Sequence, residues 1–264
     1  MTRTSVGLAV AGAALTLRER RARRKAERLA AATLETLLNA IEANDAITGA
    51  HVRRVASYAL ILARAANLDD TERLSVERVA LFHDIGKIHE AITDIFHEAT
   101  KLTAEERRAV HSHPRRGADV LRPLTVFYPD LGEGVLSHHE RWDGKGYPRG
   151  LRGERIPLAA RVVSIADTFD AITNTRRYNN ARSMEVALSA VRKGRGSQFD
   201  PTLVDVFTTP AVVRLVEQEM RAFDRPEKRG QRRSERGAGE APNIKFRWRS
   251  ERGARPRKDS TRQK

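Results

Sequence analysis

From Ala30 onward apolar residues recur at three- and four-residue steps, the spacing of amphipathic helices. Leu34, Leu37, Leu38 and Ile41 form the first stripe. Thr48-Gly49 interrupts it, and a second helix carries Val52, Val55, Ala59, Leu60 and Leu62, with His51 at its head. Asp69-Asp70-Thr71-Glu72 reads as an exposed turn opening a third helix, whose face Val76, Val79, Ala80 and Phe82 leads into His83-Asp84. Residues 88–101 show no clear period and are expected to cross the surface. Thr103 then caps a helix, with Glu106 completing a capping box. Pro114 can begin the next helix, through Gly117 to Leu121. Val135 and Leu136 lead into His138-His139, and residues 140–157 are a loop dense in Gly and Pro. Val162, Ile165, Ala166 and Phe169 make one face of a later helix, on which Asp167 and Asp170 stand three apart. Met184 to Val191 is another helix, and Asp200-Pro201 opens one more. No alternating run of strand length stands out, so the body is predicted to be all-α.

Charge divides this helical chain into three parts. The formal net charge is +15, with net +6 in residues 1–28 and net +9 in residues 224–264, which leaves the body neutral. We expect a basic N-terminal extension with a short apolar run (1–28), a folded catalytic body (29–223) and a disordered basic tail (224–264). The tail is rich in Arg, Gly and Pro and almost without aliphatic residues, so it cannot bury enough surface to fold. Its one distinct feature, Lys245-Phe246-Arg247-Trp248-Arg249, suits contact with nucleic acid or an anionic membrane, against the plainer reading of a solvated tail.

The apolar run between Ser5 and Leu17 is too short to span a bilayer, which takes about 20 apolar residues. Its arginines follow the run, the reverse of a secretory signal. It reads either as a frayed helix or as a peripheral anchor beside a polybasic stretch. The absence of cysteine excludes disulfides and thiolate metal sites and fits a cytoplasmic location, peripheral at the membrane if the anchor operates.

Candidate chemistry centres on Phe82-His83-Asp84-Ile85-Gly86-Lys87. A histidine and an aspartate binding one metal suit the last turn of a helix, where Gly86 supplies the stop. Such a nitrogen–oxygen pair favours Zn, Mn or Fe over Ca or Mg. His51, His113, His138 and His139 also stand beside features that suit metal binding, whereas His89, His97 and His111 read as exposed bystanders. With Asp84 and Asp167 the candidates number seven, enough for two metals sharing a carboxylate.

In this order and over residues 30–210, the motifs resemble those of the HD-GYP domain, a subfamily of HD-type metal phosphohydrolases. They are Thr48-Gly49-Ala50-His51, His83-Asp84-Ile85-Gly86-Lys87, His113-Pro114-Arg115-Arg116-Gly117, His138-His139 with the run to Pro148, Gly150-Leu151-Arg152-Gly153, Ile156-Pro157, Ala166 to Ala171 and Phe199-Asp200-Pro201. The resemblance implies a helical HD-domain bundle with a Gly-Tyr-Pro loop, C-terminal helices and flexible basic termini. It implies His51, His83, Asp84 and Asp167 on one metal and His113, His138 and His139 on a second, with Asp84 bridging and Fe or Mn as the ions. Some members carry a glutamate four residues before the first histidine that supports a third metal; Ile47 stands there, so two metals are expected.

The activity implied is hydrolysis of cyclic di-GMP by a hydroxide bridging two metals, cleaving the 3′-phosphodiester. Lys87 would neutralise a phosphoryl oxygen, Arg176 would hold the other phosphate, and Asp170 would orient a ligand or the water. Gly144 and Gly146 would let backbone approach the ligand, and Tyr147 with Trp142 would either pack beside a guanine or pin the loop. Three departures bear on this. Arg177-Tyr178-Asn179 lacks a basic residue expected near phosphate, residues 96–100 lose a lysine and gain an acid, and no receiver or other sensor domain is recognisable before residue 30. Two other readings follow: a binding or scaffold module without turnover, and an HD phosphohydrolase acting on other nucleotides or nucleic acid. The sequence leaves the oligomeric state open, with a homodimer as one option.

Overall fold

The computed structural model describes residues 3–87, 103–174 and 183–224, with side chains described from residue 18 onward except those of Asn44, Ala46 and Ile47. The expectations for residues 88–101, for Arg176 and residues 177–179, for the 224–264 tail beyond Asp224 and for the side chain of Ile47 lie outside these limits. The described elements are helices α1 (Arg3–Asn44), α2 (Ala46–Ala65), α3 (Asp70–Phe82), α4 (Ala104–His111), α5 (His113–Leu121), α6 (Pro129–Ser137), α7 (Leu158–Thr173), α8 (Met184–Lys193), α9 (Pro201–Phe207) and α10 (Pro210–Asp224). Short 3-10 turns occupy Ile85–Lys87, Arg122–Leu124 and Gly153–Arg155. Among the described residues there is no extended sheet, only two isolated bridges. The all-α expectation holds.

Among the described residues two compact units are distinguished, one ending at Thr36 and one running from Leu37 to Asp224. In the first, the stretch from Arg18 to Arg24 is fully exposed along α1, and Arg23 pairs with Glu27 one turn on at 2.9 Å. The second contains every candidate site residue.

Local sequence sets the helix starts in this second unit. Asp69 and Thr103 each accept from the backbone three residues on, and Glu72 and Glu106 reach back to complete both capping boxes. Asp200 accepts from the N–H groups of Thr202 and Leu203, with Pro201 at the first helical position. One boundary differs from expectation: α2 begins at Ala46, so Thr48-Gly49 lies inside its first turn and the break falls at Asp45. The Thr48 hydroxyl donates to the Asp45 carboxylate at 2.7 Å, and a side chain at Gly49 would stand 2.6 Å from Glu42 Cγ. Thr48-Gly49 therefore closes a tight corner between α1 and α2 rather than ending a helix.

Helix α2 is the hub of the second unit, packing on α3, α7, α9 and α10. Its stripe of Val52, Val55, Ala59 and Leu62 is buried as the periodicity requires, and Tyr58 joins it. Tyr58 meets Phe169 of α7 edge to face at 5.4 Å, and Phe169 meets Phe207 of α9 at 5.5 Å. Each such pair contributes about 0.5–1.5 kcal/mol beyond burial. The α3 face of Val76, Val79, Ala80 and Phe82 closes against α7 and α6. This core holds the C-terminal end of α3, the second turn of α2 and the middle of α7 side by side. His51, His83-Asp84 and Asp167 ride on those three segments.

The other half of the site comes from α5 and α6, which pack on each other, while α5 also packs on the Ile85–Lys87 turn. Gly86 explains how that turn and α5 come so close. A Cβ on it would collide with the His113 carbonyl and stand 2.7 Å from the Gly117 nitrogen. Gly86 is not in the left-handed region expected of a helix stop; its role is close approach between backbones.

Candidate metal centre

Two groups of ligand-type side chains form in the second unit. His51, His83 and Asp167 bring one donor atom each to within 4.8 Å of one another, and so do His113, His138 and His139. His51, His83, His113 and His138 are buried, while His139 and Asp167 are partly open. Asp84 lies between the groups with its two oxygens divided. Oδ2 faces His83 Nε2 at 3.5 Å and His51 Nε2 at 3.8 Å, and Oδ1 faces His113 Nε2 at 3.5 Å and His138 Nε2 at 3.9 Å. All seven residues singled out in the sequence as metal ligands converge.

The backbone decides which nitrogen each ring presents. His83, His113 and His138 place Nδ1 at 2.6–2.7 Å from the carbonyls of Ala80, Val110 and Val135, each three residues back. A carbonyl only accepts, so Nδ1 carries the hydrogen and Nε2 keeps a lone pair. His51 Nδ1 bonds the Asp170 carboxylate at 2.7 Å, with the same result.

Burial then keeps the imidazoles neutral. It depresses the affinity of His83 and His138 for protons, draws His113 down to about 3 and draws His139 down to about 4, with Lys87 adding to the effect at His113. Burial alone would raise the Asp84 carboxyl, but Lys87, His83, His113 and His51 together outweigh it and hold the group well below the usual carboxylate range.

These residues fit a divalent cation. The Nε2 atoms of His113 and His138 lie 3.1 Å apart, two lone pairs facing each other with no proton of their own. His83 Nε2 and Asp84 Oδ1 are fully buried without a hydrogen-bond partner. Such atoms are costly unless a cation satisfies them. Two groups of this kind sharing one carboxylate suit a two-metal centre.

Residues around the groups refine the sequence reading. Lys87 Nζ lies 2.6 Å from Asp84 Oδ2, so its charge stands at the centre. Asp170, at the base of His51, also accepts from Arg54 at 2.7 and 3.0 Å and from Asn174 at 2.9 Å. Arg54 and Asn174 escaped the sequence reading, although Arg54 lies three residues after His51 and Asn174 four after Asp170, both one turn away. Glu140, part of the long motif, had no role of its own in the sequence reading. Its buried carboxylate accepts from the backbone of Arg149 at 2.7 Å and Leu151 at 2.9 Å, clasping the loop.

Tyr147 stacks on two rings, on His139 at 4.8 Å and on His111 at 4.0 Å with the latter rings 9° from parallel. The exposed His111 thus takes part in the loop's anchorage. Trp142 is likewise pinned. Its backbone N–H donates to the Gln198 carbonyl at 3.1 Å and the Arg161 guanidinium lies over its ring. Gly144 adopts φ +79°, and Gly146 packs against the backbone of residues 139–141, so both have reasons internal to the loop. Among the described residues no helix is long and apolar enough to cross a membrane.

A helical bundle that gathers five histidines and one aspartate around a second, shared aspartate defines a protein with a histidine–aspartate metal centre. The chain belongs to the HD domain family, whose pattern matches residues 35–203.

Its relatives include the cyclic di-GMP phosphodiesterase response regulator RpfG of Xanthomonas campestris pv. campestris, 41% identical over 66% of this chain and 46% of the relative. A 3′3′-cGAMP-specific phosphodiesterase 2 of Vibrio cholerae is 37% identical over 64% of this chain and 33% of its own length. A cyclic di-GMP phosphodiesterase of Thermotoga maritima is 35% identical over 66% and 47%. The chain thus spans less than half the length of each of these curated relatives. In fold it is similar to a crystal structure of a cyclic GMP-AMP-specific phosphodiesterase of V. cholerae, with a TM-score of 0.52 and 23% identity over 73% of this chain and 49% of that one. An HD-GYP-type protein from Bdellovibrio bacteriovorus gives 0.51 and 18% over 68% and 60%.

Proposed function

We propose that this chain is a metal-dependent phosphodiesterase of the HD-GYP type that opens a cyclic dinucleotide, with cyclic di-GMP the favoured substrate. The observation that carries the reading is the placement of Asp84, one oxygen toward each group of histidines. The phosphodiesterase names of the relatives at 35–41% identity support the substrate class.

In this reading His51, His83 and Asp167 hold one ion, His113, His138 and His139 hold the other, and Asp84 serves both. Nitrogen-rich ligation suits Fe or Mn. Two divalent ions held there would supply Lewis acidity and a nucleophile near neutral pH. The protein groups do the rest. The carbonyls of Ala80, Val110 and Val135 keep each Nε2 lone pair aimed inward. Asp170 does the same for His51 and keeps its own charge through Arg54. Lys87 stands where its ammonium can pass from Asp84 to a non-bridging phosphoryl oxygen as the diester arrives. Glu140 and the Tyr147 stack keep the loop beside His139 in one shape.

The test is hydrolysis by the full chain loaded with Mn or Fe, offered cyclic di-GMP, 3′3′-cGAMP and a single-stranded oligonucleotide beside Asp84→Ala. We expect linear dinucleotide from a cyclic substrate and nearly none from the variant. The relatives named as 3′3′-cGAMP-specific make the mixed dinucleotide the second substrate to weigh. If two ions are bound and both cyclic dinucleotides are recovered intact, the enzyme reading fails and a binding module takes its place.

A further inference from the structure

The two halves of the centre are not electrically equal. The group on α2, α3 and α7 contains a carboxylate, Asp167, beside two imidazoles, whereas the group on α5 and α6 contains three neutral imidazoles. The supporting atoms differ in the same sense. His51 is backed by the buried carboxylate of Asp170, while His83, His113 and His138 are all backed by neutral carbonyls, so only the first group has a carboxylate behind one of its imidazoles. A carboxylate behind a ligating imidazole raises its basicity and its hold on a metal more than a carbonyl does.

Two cations oppose this pattern and must be counted. Arg54 forks over both Asp170 oxygens, at 2.7 Å from Oδ1 and 3.0 Å from Oδ2, and so offsets part of the charge behind His51, which keeps its own 2.7 Å contact to Oδ2. Lys87 lies on Asp84 Oδ2, the oxygen that faces His51 and His83, and opposes a cation there most directly. Asp84 offers one oxygen to each side, so the carboxylate that only one group owns is Asp167.

We propose that the two positions differ in affinity and fill in order: a divalent ion enters at His51–His83–Asp167 first, and the His113–His138–His139 position is the labile one whose occupancy switches activity on. Asp170, held by Arg54 and Asn174, is the positioning residue that sets the difference. This rests on the two-metal phosphodiesterase reading and adds a regulatory consequence to it. A chain short of metal would hold one ion and be silent, and turnover would follow the weaker binding step.

The experiment is titration of the metal-stripped full chain with Mn(II), reading free ion by electron paramagnetic resonance, with dinucleotide hydrolysis measured on the same samples. We expect two classes of one ion each, separated by at least about tenfold, the scale of effect that supporting groups exert on metal affinity. His139→Ala should remove the weak class and leave the tight one unchanged. Asp170→Asn should weaken the tight class about tenfold and leave the weak one in place. Circular dichroism identifies any variant that fails to fold, and the wild-type isotherm decides alone in that case. Uptake of two ions in a single class, or loss of the tight class in His139→Ala, overturns the proposal. Ordered filling without hydrolysis would overturn only the phosphodiesterase reading, and hydrolysis with a single class would overturn only the filling order.

Discussion

Gly86 and His113 touch backbone to backbone: the turn after His83-Asp84 lies so close to the first residue of α5 that no side chain fits at position 86. That contact joins the two histidine groups, because His83 serves one side and His113 the other. Gly86→Ala should force the turn and α5 apart. Overpacking of this kind costs about 1–3 kcal/mol, visible as a lower denaturation midpoint. Metal content should fall toward one ion per chain. An unchanged midpoint and full metal content would show that the contact is slack.

Arg54 is the main charge partner of the fully buried Asp170. Breaking a buried pair by removing one member costs about 3–5 kcal/mol. Arg54→Ala should therefore destabilise the fold on that scale in urea titrations. Arg54→Lys should recover only part of the loss, since an ammonium cannot reproduce the two guanidinium bonds. Equal stability of the two variants would remove the geometric part of this account.

Glu140 holds the loop by two backbone bonds to one buried carboxylate. Glu140→Ala leaves both N–H groups without that acceptor, at about 2 kcal/mol for the site. The loop carries Arg141, Lys145 and Arg149, so limited trypsin digestion is a direct readout. Cleavage between residues 141 and 149 should accelerate in the variant and remain slow in wild type.

Glu77 on α3 gives a pH prediction away from the centre. Burial raises its carboxyl above the ordinary value, and Arg78 and Arg64 only partly offset this. The folded state therefore binds the proton more tightly than the unfolded state. The stability tied to that proton is fully present below the unfolded value near 4.5 and is lost as pH rises through the folded one. Glu77→Gln should raise the denaturation midpoint at pH 7 and change it little at pH 4. A lower midpoint at pH 7 would contradict the sign.

Much of this protein was legible in its chain because the relevant signals are local. The capping boxes at Asp69 and Thr103 and the Asp200-Pro201 start need only four consecutive residues, and all formed. The stripe on α2 announced its buried face for the same reason. The candidate ligands were found because histidine and aspartate beside Gly or Pro are rare enough to notice, and the ordered motifs tied them to one family.

What the chain did not disclose depends on residues far apart in sequence. Arg54 and Asp170 are 116 positions apart, and nothing local marks them as partners. His111 looked like a bystander because its stacking partner, Tyr147, comes from a loop 36 residues on. Gly86 read as a helix stop, since its true neighbour lies on α5.

The sequence by itself determined the helices, their buried faces and the identity of the converging donors, because periodicity and residue chemistry are properties of short segments. The resemblance implied Asp84 as a bridge; only the tertiary structure decided how its oxygens divide, and that a carboxylate backs His51 while carbonyls back His83, His113 and His138. Direction, distance and the charge behind each imidazole arise when α2, α3 and α7 pack on one side and α5 and α6 on the other. His83-Asp84 sits at the junction of those two packings.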